Sequence, residues 1–181
     1  MNHASHFQLL AEYNRWMNRS VFAAAAKLPA DEVTADKGAF FGSILGTLNH
    51  LAVADTIWLK RFSTHASCGT SLQSMSDVPY PARLDQTLFA DLSSLQGYRE
   101  RLDELIIQFV AALEDDALDQ PLIFSSLKGA KAARNFRAVL MHFFNHQTHH
   151  RGQVTTLLFQ AGVDPGSTDL LVLVPAEEVG G

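Results

Sequence analysis

Four of the eight histidines in the chain lie within nine residues, in the segment HFFNHQTHH that runs from His142 to His150. Neutral imidazole is the commonest protein ligand for transition metals, and a helix places residues four positions apart on one face. His146 and His150 have this spacing, and at 3.6 residues per turn they lie about 40° apart, within the apolar stripe of their helix. We therefore expect these two side chains to face the protein interior as metal ligands, with His142 and His149 toward the edge of the stripe.

A neutral pair of core histidines is the alternative interpretation. Buried polar groups are usually hydrogen-bonded, and for two imidazoles in one small volume every donor and acceptor has to be matched. The segment also differs from the HExxH motif of zinc proteases, because Gln147 stands where that motif has its general base. Activation of water would then depend on the metal or on a carboxylate from elsewhere, such as Asp55 or Glu12.

A third ligand has to come from another helix, since catalytic metal sites usually have three protein ligands and one position for water or substrate. His3 and His6 lie near a terminus, and His65 lies at the predicted end of a helix. His50 lies in the middle of a helical pattern, on the flank of its apolar stripe. A helix in a bundle contacts two neighbours, so this flank can also face another helix.

Apolar periodicity predicts the elements that carry these residues. Four long helices are expected over about residues 7–28, 44–65, 85–113 and 136–161, with Ser43 capping the second and Gly162 ending the fourth. Residues 67–81 are predicted to form a long crossover loop between the second and third helices, and residues 121–129 can form a small hairpin. This pattern is typical of an all-α four-helix bundle.

Composition narrows the kind of protein. A chain of 181 residues with 47% hydrophobic content predicts one domain over residues 1–181. The net charge of −5, without a cluster of Lys and Arg, argues against nucleic acid as a partner. Cys68 is the only cysteine, which excludes an internal disulfide and a Cys-rich zinc module. Without a signal peptide or an apolar run near ~20 residues, a cytoplasmic protein without membrane contact is expected.

Three segments together resemble a known family. They are AFFGSILGTLNH ending at His50, HFFNHQTHHRGQV beginning at His142, and TDLL over 168–171. They are similar to the DinB family of damage-inducible, metal-binding four-helix bundles of the DinB/YfiT type, which is unrelated to the translesion polymerase of that name. In that family a divalent metal is held by one histidine from the second helix and two from an HxxxH on the last long helix. The resemblance therefore implies His50, His146 and His150 as ligands.

The resemblance also implies a function. One divalent transition metal per chain is expected, with zinc as the leading candidate and nickel or iron as alternatives, because imidazole suits all three. Family relatives include transferases of low-molecular-weight thiols, so a metal-dependent thiol S-transferase or hydrolase acting on a small molecule is expected, as a homodimer. The alternative is a non-catalytic stress-response protein with a structural metal. Asn14, Gln153 and His142 are the candidates for holding the imidazoles or contacting substrate.

Overall fold

The structure, a computed structural model, describes residues 3–176. Within this range the chain is mostly helical, with one small two-stranded sheet. The elements are α1 (His3–Ala25), α2 (Ala30–Thr34), α3 (Ile44–Phe62), α4 (Leu92–Ala111), α5 (Asp115–Leu118), β1 (Pro121–Ser125), β2 (Lys131–Asn135) and α6 (Phe136–Gln160), with 3₁₀ turns at Gln73–Met75 and Leu170–Leu173. No helix in the described range is long and apolar enough to cross a membrane.

The four long helices share one apolar core. Helix α1 packs against α4 and α6, and α3 packs against the same two helices. Each long helix contributes a fully buried phenylalanine, and the ring of Phe62 on α3 lies 5.4 Å from those of Phe109 on α4 and Phe143 on α6. The predicted mostly helical architecture is confirmed. This packing holds α3 and α6 side by side, which brings the two histidine-bearing segments together.

The start of α3 follows the sequence prediction. The Ser43 hydroxyl oxygen accepts the backbone N–H of Gly46 at 2.9 Å, which satisfies one of the open donors of the first turn. Gly46 permits a close approach of the preceding loop, since an added Cβ would lie 2.0 Å from the carbonyl oxygen of Phe41. The loop before α3 is therefore folded tightly over the first turns of the helix.

The start of α4 differs from the prediction. The helix was expected from about Asp85, but it begins at Leu92, where the Asp91 carboxylate accepts the backbone N–H of Ser94 at 2.8 Å. The apolar period continues upstream into residues that are not helical. The crossover segment is therefore longer than expected and occupies residues 63–91.

Asn49 is the physical reason for this longer crossover. Its side-chain oxygen accepts the backbone N–H groups of Leu88 and Phe89 at 2.8 and 3.1 Å, and its amide nitrogen donates to the carbonyl of Phe89 at 3.0 Å. In a helix that began near Asp85, the N–H and the carbonyl of Phe89 would bond within the helix, whereas here both bond to Asn49. The end of the crossover is thereby fastened to α3, one residue before His50.

The predicted hairpin is present. Strands β1 and β2 pair antiparallel, and Gly129 in the connecting turn has a φ of 82°, a conformation that favours glycine. The hairpin leads directly into α6, because Asn135 is both the last residue of β2 and the cap of α6, accepting the N–H of Ala138 at 3.0 Å. Phe124 on β1 contacts Trp58 on α3, and β1 also packs against α6, so the hairpin lies beside both helices.

Candidate metal centre

Three histidines converge between α3 and α6. The Nε2 atom of His50 lies 3.2 Å from the Nε2 atoms of both His146 and His150, and one ligand atom from each residue lies within 4.8 Å of the others. The last two project from successive turns of α6, as their spacing requires. In residues 3–176 these three side chains form the group that can hold a metal ion.

Hydrogen bonds define the protonation of two of the rings. Nδ1 of His50 lies 2.8 Å from the carbonyl oxygen of Leu84, and Nδ1 of His150 lies 2.8 Å from the side-chain oxygen of Gln153. A carbonyl oxygen only accepts, so each Nδ1 carries the proton and each Nε2 keeps a free lone pair. Lone pairs from two helices therefore point at the same small volume, which is an unfavourable arrangement unless a cation or a proton lies between them.

The spacing of the nitrogens fits a first-row metal. A tetrahedral ion with metal–nitrogen bonds of about 2.0–2.1 Å separates its ligand nitrogens by about 3.3–3.4 Å. The two Nε2 separations at His50 are 3.2 Å. In metal-binding histidines the ring nitrogen that does not face the metal typically donates to a partner that orients the ring. Here Leu84 accepts from Nδ1 of His50, and Gln153 accepts from Nδ1 of His150.

Burial keeps the three imidazoles neutral. Desolvation is the largest cause that lowers the pKa of His50, His146 and His150, and it lowers the pKa of His146 to about 3, with the neighbouring imidazoles adding to the effect. The hydrogen bonds to Leu84 and Gln153 act in the opposite direction but do not reverse it. Because only unprotonated imidazole binds a metal, the site is ready to ligate at neutral pH.

One side of the site is closed by an aromatic ring. Phe41 stacks on His50, with ring centroids 3.8 Å apart and planes inclined by 15°, and its ring lies 5.5 Å from that of His150. Phe41 belongs to the loop that Gly46 allows to approach α3. The aromatic ring excludes water from this side, so access has to come from elsewhere.

A cavity of about 480 Å³ opens on another side of the histidines. It lies between α3, α6 and the turn of the hairpin, and its wall includes His50, His146, Trp58 and His142. The side chain of His142 is exposed, and its ring centroid lies 5.4 Å from Trp58 and 6.0 Å from His146. This candidate residue thus lines the cavity beside the three histidines, whereas His149 is exposed on the helix surface.

Asn14 lies in a different cluster. Its amide nitrogen donates to Asp103 at 3.1 Å, and its oxygen accepts a hydrogen bond from Arg151. Arg151 itself is buried, although it is charged. The reason is that α6 packs against both α1 and α3, so two of its faces are covered and its polar residues divide between them.

The carboxylates that the sequence offered as possible bases are held elsewhere. Asp55 is fully buried, where it accepts hydrogen bonds from Arg99 and from Gln147, the latter at 2.8 Å. Glu12 pairs with Arg15 at 2.6 Å on the surface of α1. Both carboxylates thus pair with other side chains, and the group that could hold a metal contains imidazole alone.

Sequence reasoning missed two residues that shape the site and one that anchors it. The Leu84 carbonyl belongs to the backbone, so no side-chain pattern could have indicated it. Phe41 is one of two adjacent phenylalanines in a loop, without a helical period to assign its direction. Asn49 gave a usable signal, because a polar residue directly before His50 in a mostly apolar stretch of the helix indicates a specific partner.

The fold and the site place the chain in a general class, the helical proteins with a candidate metal centre. The fold is mostly helical, and the site consists of imidazoles that lie between two helices and beside a cavity. The model of the DinB family matches residues 1–178, and the chain belongs to this family. It is similar to Protein DinB of Bacillus subtilis (strain 168), with 29% identity over 160 residues, which is 88% of each chain. No solved structure gives a significant match.

Proposed function

We propose that His50, His146 and His150 bind one divalent transition metal, and that the loaded protein is an enzyme for small molecules of the thiol S-transferase or hydrolase type. The observation that carries the proposal is the convergence of the three Nε2 atoms beside an accessible cavity that His50 and His146 line. Zinc is the leading candidate because three imidazoles and one free position are typical of catalytic zinc. Nickel and iron are the alternatives.

The cavity favours a catalytic role over a purely structural one. Structural zinc sites are closed by four protein ligands, whereas this site has three histidines and a solvent-accessible side. A bound divalent ion would lower the pKa of a thiol or water in the remaining position. Leu84 and Gln153 hold two of the imidazoles in the ligating tautomer. The exposed ring of His142, close to His146, supports a role in proton exchange with a molecule in the cavity.

A structural metal is the second candidate function. The ligands come from α3 and α6, so a bound ion would link two long helices and stabilise the folded state by mass action. In this case the metal would raise thermal stability without turnover.

We further propose that the four long helices form a four-helix bundle of the DinB/YfiT type. We also propose that residues 1–181 form one domain and that the protein is a homodimer.

Thiol chemistry on the loaded protein tests the enzyme proposal. Metal-free protein would be loaded with Zn²⁺ or Co²⁺ and mixed with 2-mercaptoethanol or cysteine and the electrophile 1-chloro-2,4-dinitrobenzene. We expect conjugation that requires the metal and is lost in His146→Ala, and a change in the visible Co²⁺ spectrum when the thiol binds. If both thiols are inert and ester hydrolysis is also absent, while metal removal lowers the melting temperature, the structural role is favoured.

A further inference from the structure

The cavity beside the histidines has a positively charged end. Its wall includes Arg61 on α3 and Lys128 in the hairpin turn, and no Asp or Glu of the described chain lines it. A neighbouring cavity of about 360 Å³ shares Arg61 and adds Lys60 and Lys131, again without an acidic residue in its wall. In a chain of net charge −5 this local excess of cations is the opposite of the overall composition.

Arg61 is held in place by two aromatic rings. Its guanidinium carbon lies 4.5 Å from the ring centroid of Trp58 and 4.9 Å from that of Phe124. Cation–π contacts of this kind fix the plane of the guanidinium and leave its edge for hydrogen bonding. Arg61 is therefore oriented by apolar groups, which do not neutralise its charge.

The charge of Arg61 has no acidic partner in the described structure. No carboxylate in residues 3–176 lies within ion-pair distance of it, and its Nε is buried without a hydrogen-bond partner. Arg99 offers the contrast, because it is buried between Asp55 and Asp103. A half-buried arginine that has no acid but borders a cavity is suited to bind an anion from outside, and its edge matches a planar carboxylate.

The distance along α3 between Arg61 and the histidines sets the length of a ligand that could reach both. Arg61 follows His50 by eleven residues, which is about 16 Å along the helix axis at a rise of about 1.5 Å per residue. The guanidinium of Arg61 lies over Trp58, which follows His50 by eight residues, so the gap to the histidines is roughly 12 Å. The wall between the two ends is apolar and includes Ala54, Ile57 and Trp58.

We propose that this cavity binds an elongated organic carboxylate, with the carboxylate on Arg61 and Lys128, an apolar or aromatic middle against Trp58, and the reacting group at the three histidines. The position of the reacting group depends on the metal-dependent function proposed above, whereas the carboxylate subsite does not. The proposal names a substrate class for the site: small molecules with an anionic end and a reacting end that are separated by an apolar chain.

Two matched probes test the subsite on the Co²⁺-loaded protein. The first is 6-mercaptohexanoate, and the second is 6-mercaptohexan-1-ol, which has the same length but no charge. Binding is followed by the visible spectrum and by calorimetry. We expect the acid to bind about tenfold more tightly than the alcohol, as a charge-assisted hydrogen bond to a carboxylate predicts. Arg61→Gln should remove most of this preference without changing the metal content, because Lys128 remains.

Control variants separate charge from fold. Arg101→Gln removes an exposed arginine of α4 far along the chain from the cavity and should keep the full preference. Arg61→Lys keeps the charge but loses the planar edge, and Lys128→Gln changes an exposed turn, so each should keep only part of the preference. Equal binding of acid and alcohol by the wild type overturns the subsite. The subsite is also overturned if Arg61→Lys and Lys128→Gln both keep the full preference for the acid over the alcohol. The same holds if Arg61→Gln is folded and keeps the full preference.

A probe without a thiol distinguishes failure of the subsite from failure of the metal proposal. Hexanoate is titrated into metal-free protein, and binding is read from the shift in melting temperature. We expect stabilisation that persists in His146→Ala and is lost in Arg61→Gln. If no thiol reaches the metal but hexanoate still requires Arg61, the metal-dependent function fails and the carboxylate subsite stands. If hexanoate has no effect in any form, the subsite fails.

Discussion

Helix α6 carries two polar pairs that differ by one position in the sequence and greatly in their surroundings. His146 and His150 face His50 on α3, and His146 also lines the cavity, whereas Gln147 and Arg151 are buried in a network that reaches α1, α3 and α4. Both pairs have the four-residue spacing that places side chains on one face. The same helical geometry thus serves two clusters, and the partners of each cluster decide its role.

The buried network joins donors to acceptors. Gln147 donates to Asp55, Arg99 lies between Asp55 and Asp103, and Arg151 donates to Asn14. Its ionisable members are two arginines and two aspartates, so their formal charges balance. In the histidine cluster, the acceptor nitrogens of His50 and His150 meet across 3.2 Å. A buried cluster of paired opposite charges stabilises the fold, although Asp55 Oδ1, Arg99 Nε and Nη2 and Gln147 Oε1 have no hydrogen-bond partner within it. Convergent acceptors beside a cavity instead indicate a ligand.

The largest expected effect concerns the buried network. Asp55→Ala leaves Arg99 buried with one carboxylate in place of two, and removal of one partner from a buried ion pair costs about 3–5 kcal/mol. We expect a loss of this size in the free energy of unfolding of the metal-free protein, measured by urea denaturation. His146→Ala should change the same quantity little at neutral pH, because it removes a desolvated imidazole and no ion-pair partner.

Asp85→Ala is the matched control for this substitution. Asp85 is an exposed carboxylate that pairs with Arg83 at 2.6 Å on the surface, where ion pairs contribute little to stability. Similar losses of unfolding free energy in Asp55→Ala and Asp85→Ala would mean that the buried network has no special structural role.

The second expected effect is on the pH dependence of stability. Burial lowers the pKa of His146 to about 3 in the folded protein, whereas an unfolded chain has a His pKa of about 6.5. Between these values the unfolded state binds more protons, so the stabilising contribution is present above pH ~6.5 and is lost as the pH falls toward 3. Urea denaturation of metal-free protein at pH 7.5 and 4.5 should show a larger loss for the wild type than for His146→Ala. Identical losses would contradict the burial of this imidazole.

A smaller effect is expected at the residue that orients His150. Gln153→Ala removes the acceptor of the Nδ1 proton, and loss of such a partner typically reduces metal affinity about 10–100-fold. Competition with a chelator measures the affinity. Gln108→Ala, which removes an exposed glutamine that bonds to Glu104 on α4, is the control and should leave the affinity unchanged. An unchanged affinity in Gln153→Ala would show that the hydrogen bond does not support the ligand.

Much of the fold follows from local signals in the sequence. The cap at Ser43, the hairpin before α6 and the apolar periods of the long helices depend on residues close together in the chain, and the structure agrees with them. The predicted start of α4 was wrong because Leu88 continues the apolar period of that helix. Its backbone N–H is held by Asn49, and a contact between residues so far apart in the chain has no local signal.

The candidate site divides in the same way. The common direction of His146 and His150 follows from helix geometry alone, whereas His50 had to be taken from the family resemblance, because the pairing of α3 with α6 is a tertiary property. Asn14 interrupts an apolar stripe, which indicates a buried partner but does not identify it. In the structure its partners are Asp103 and Arg151, away from the histidines.

The metal content of purified variants tests the central claim most directly. Elemental analysis of the wild type should give about one divalent metal ion per chain, and His149→Ala, which changes an exposed histidine of the same helix, should retain it. His50→Ala, His146→Ala and His150→Ala should each lose most of the metal while circular dichroism shows that they remain folded. Undiminished metal in the three folded variants, or its absence from the wild type after incubation with Zn²⁺, Ni²⁺ and Fe²⁺, would contradict the assignment.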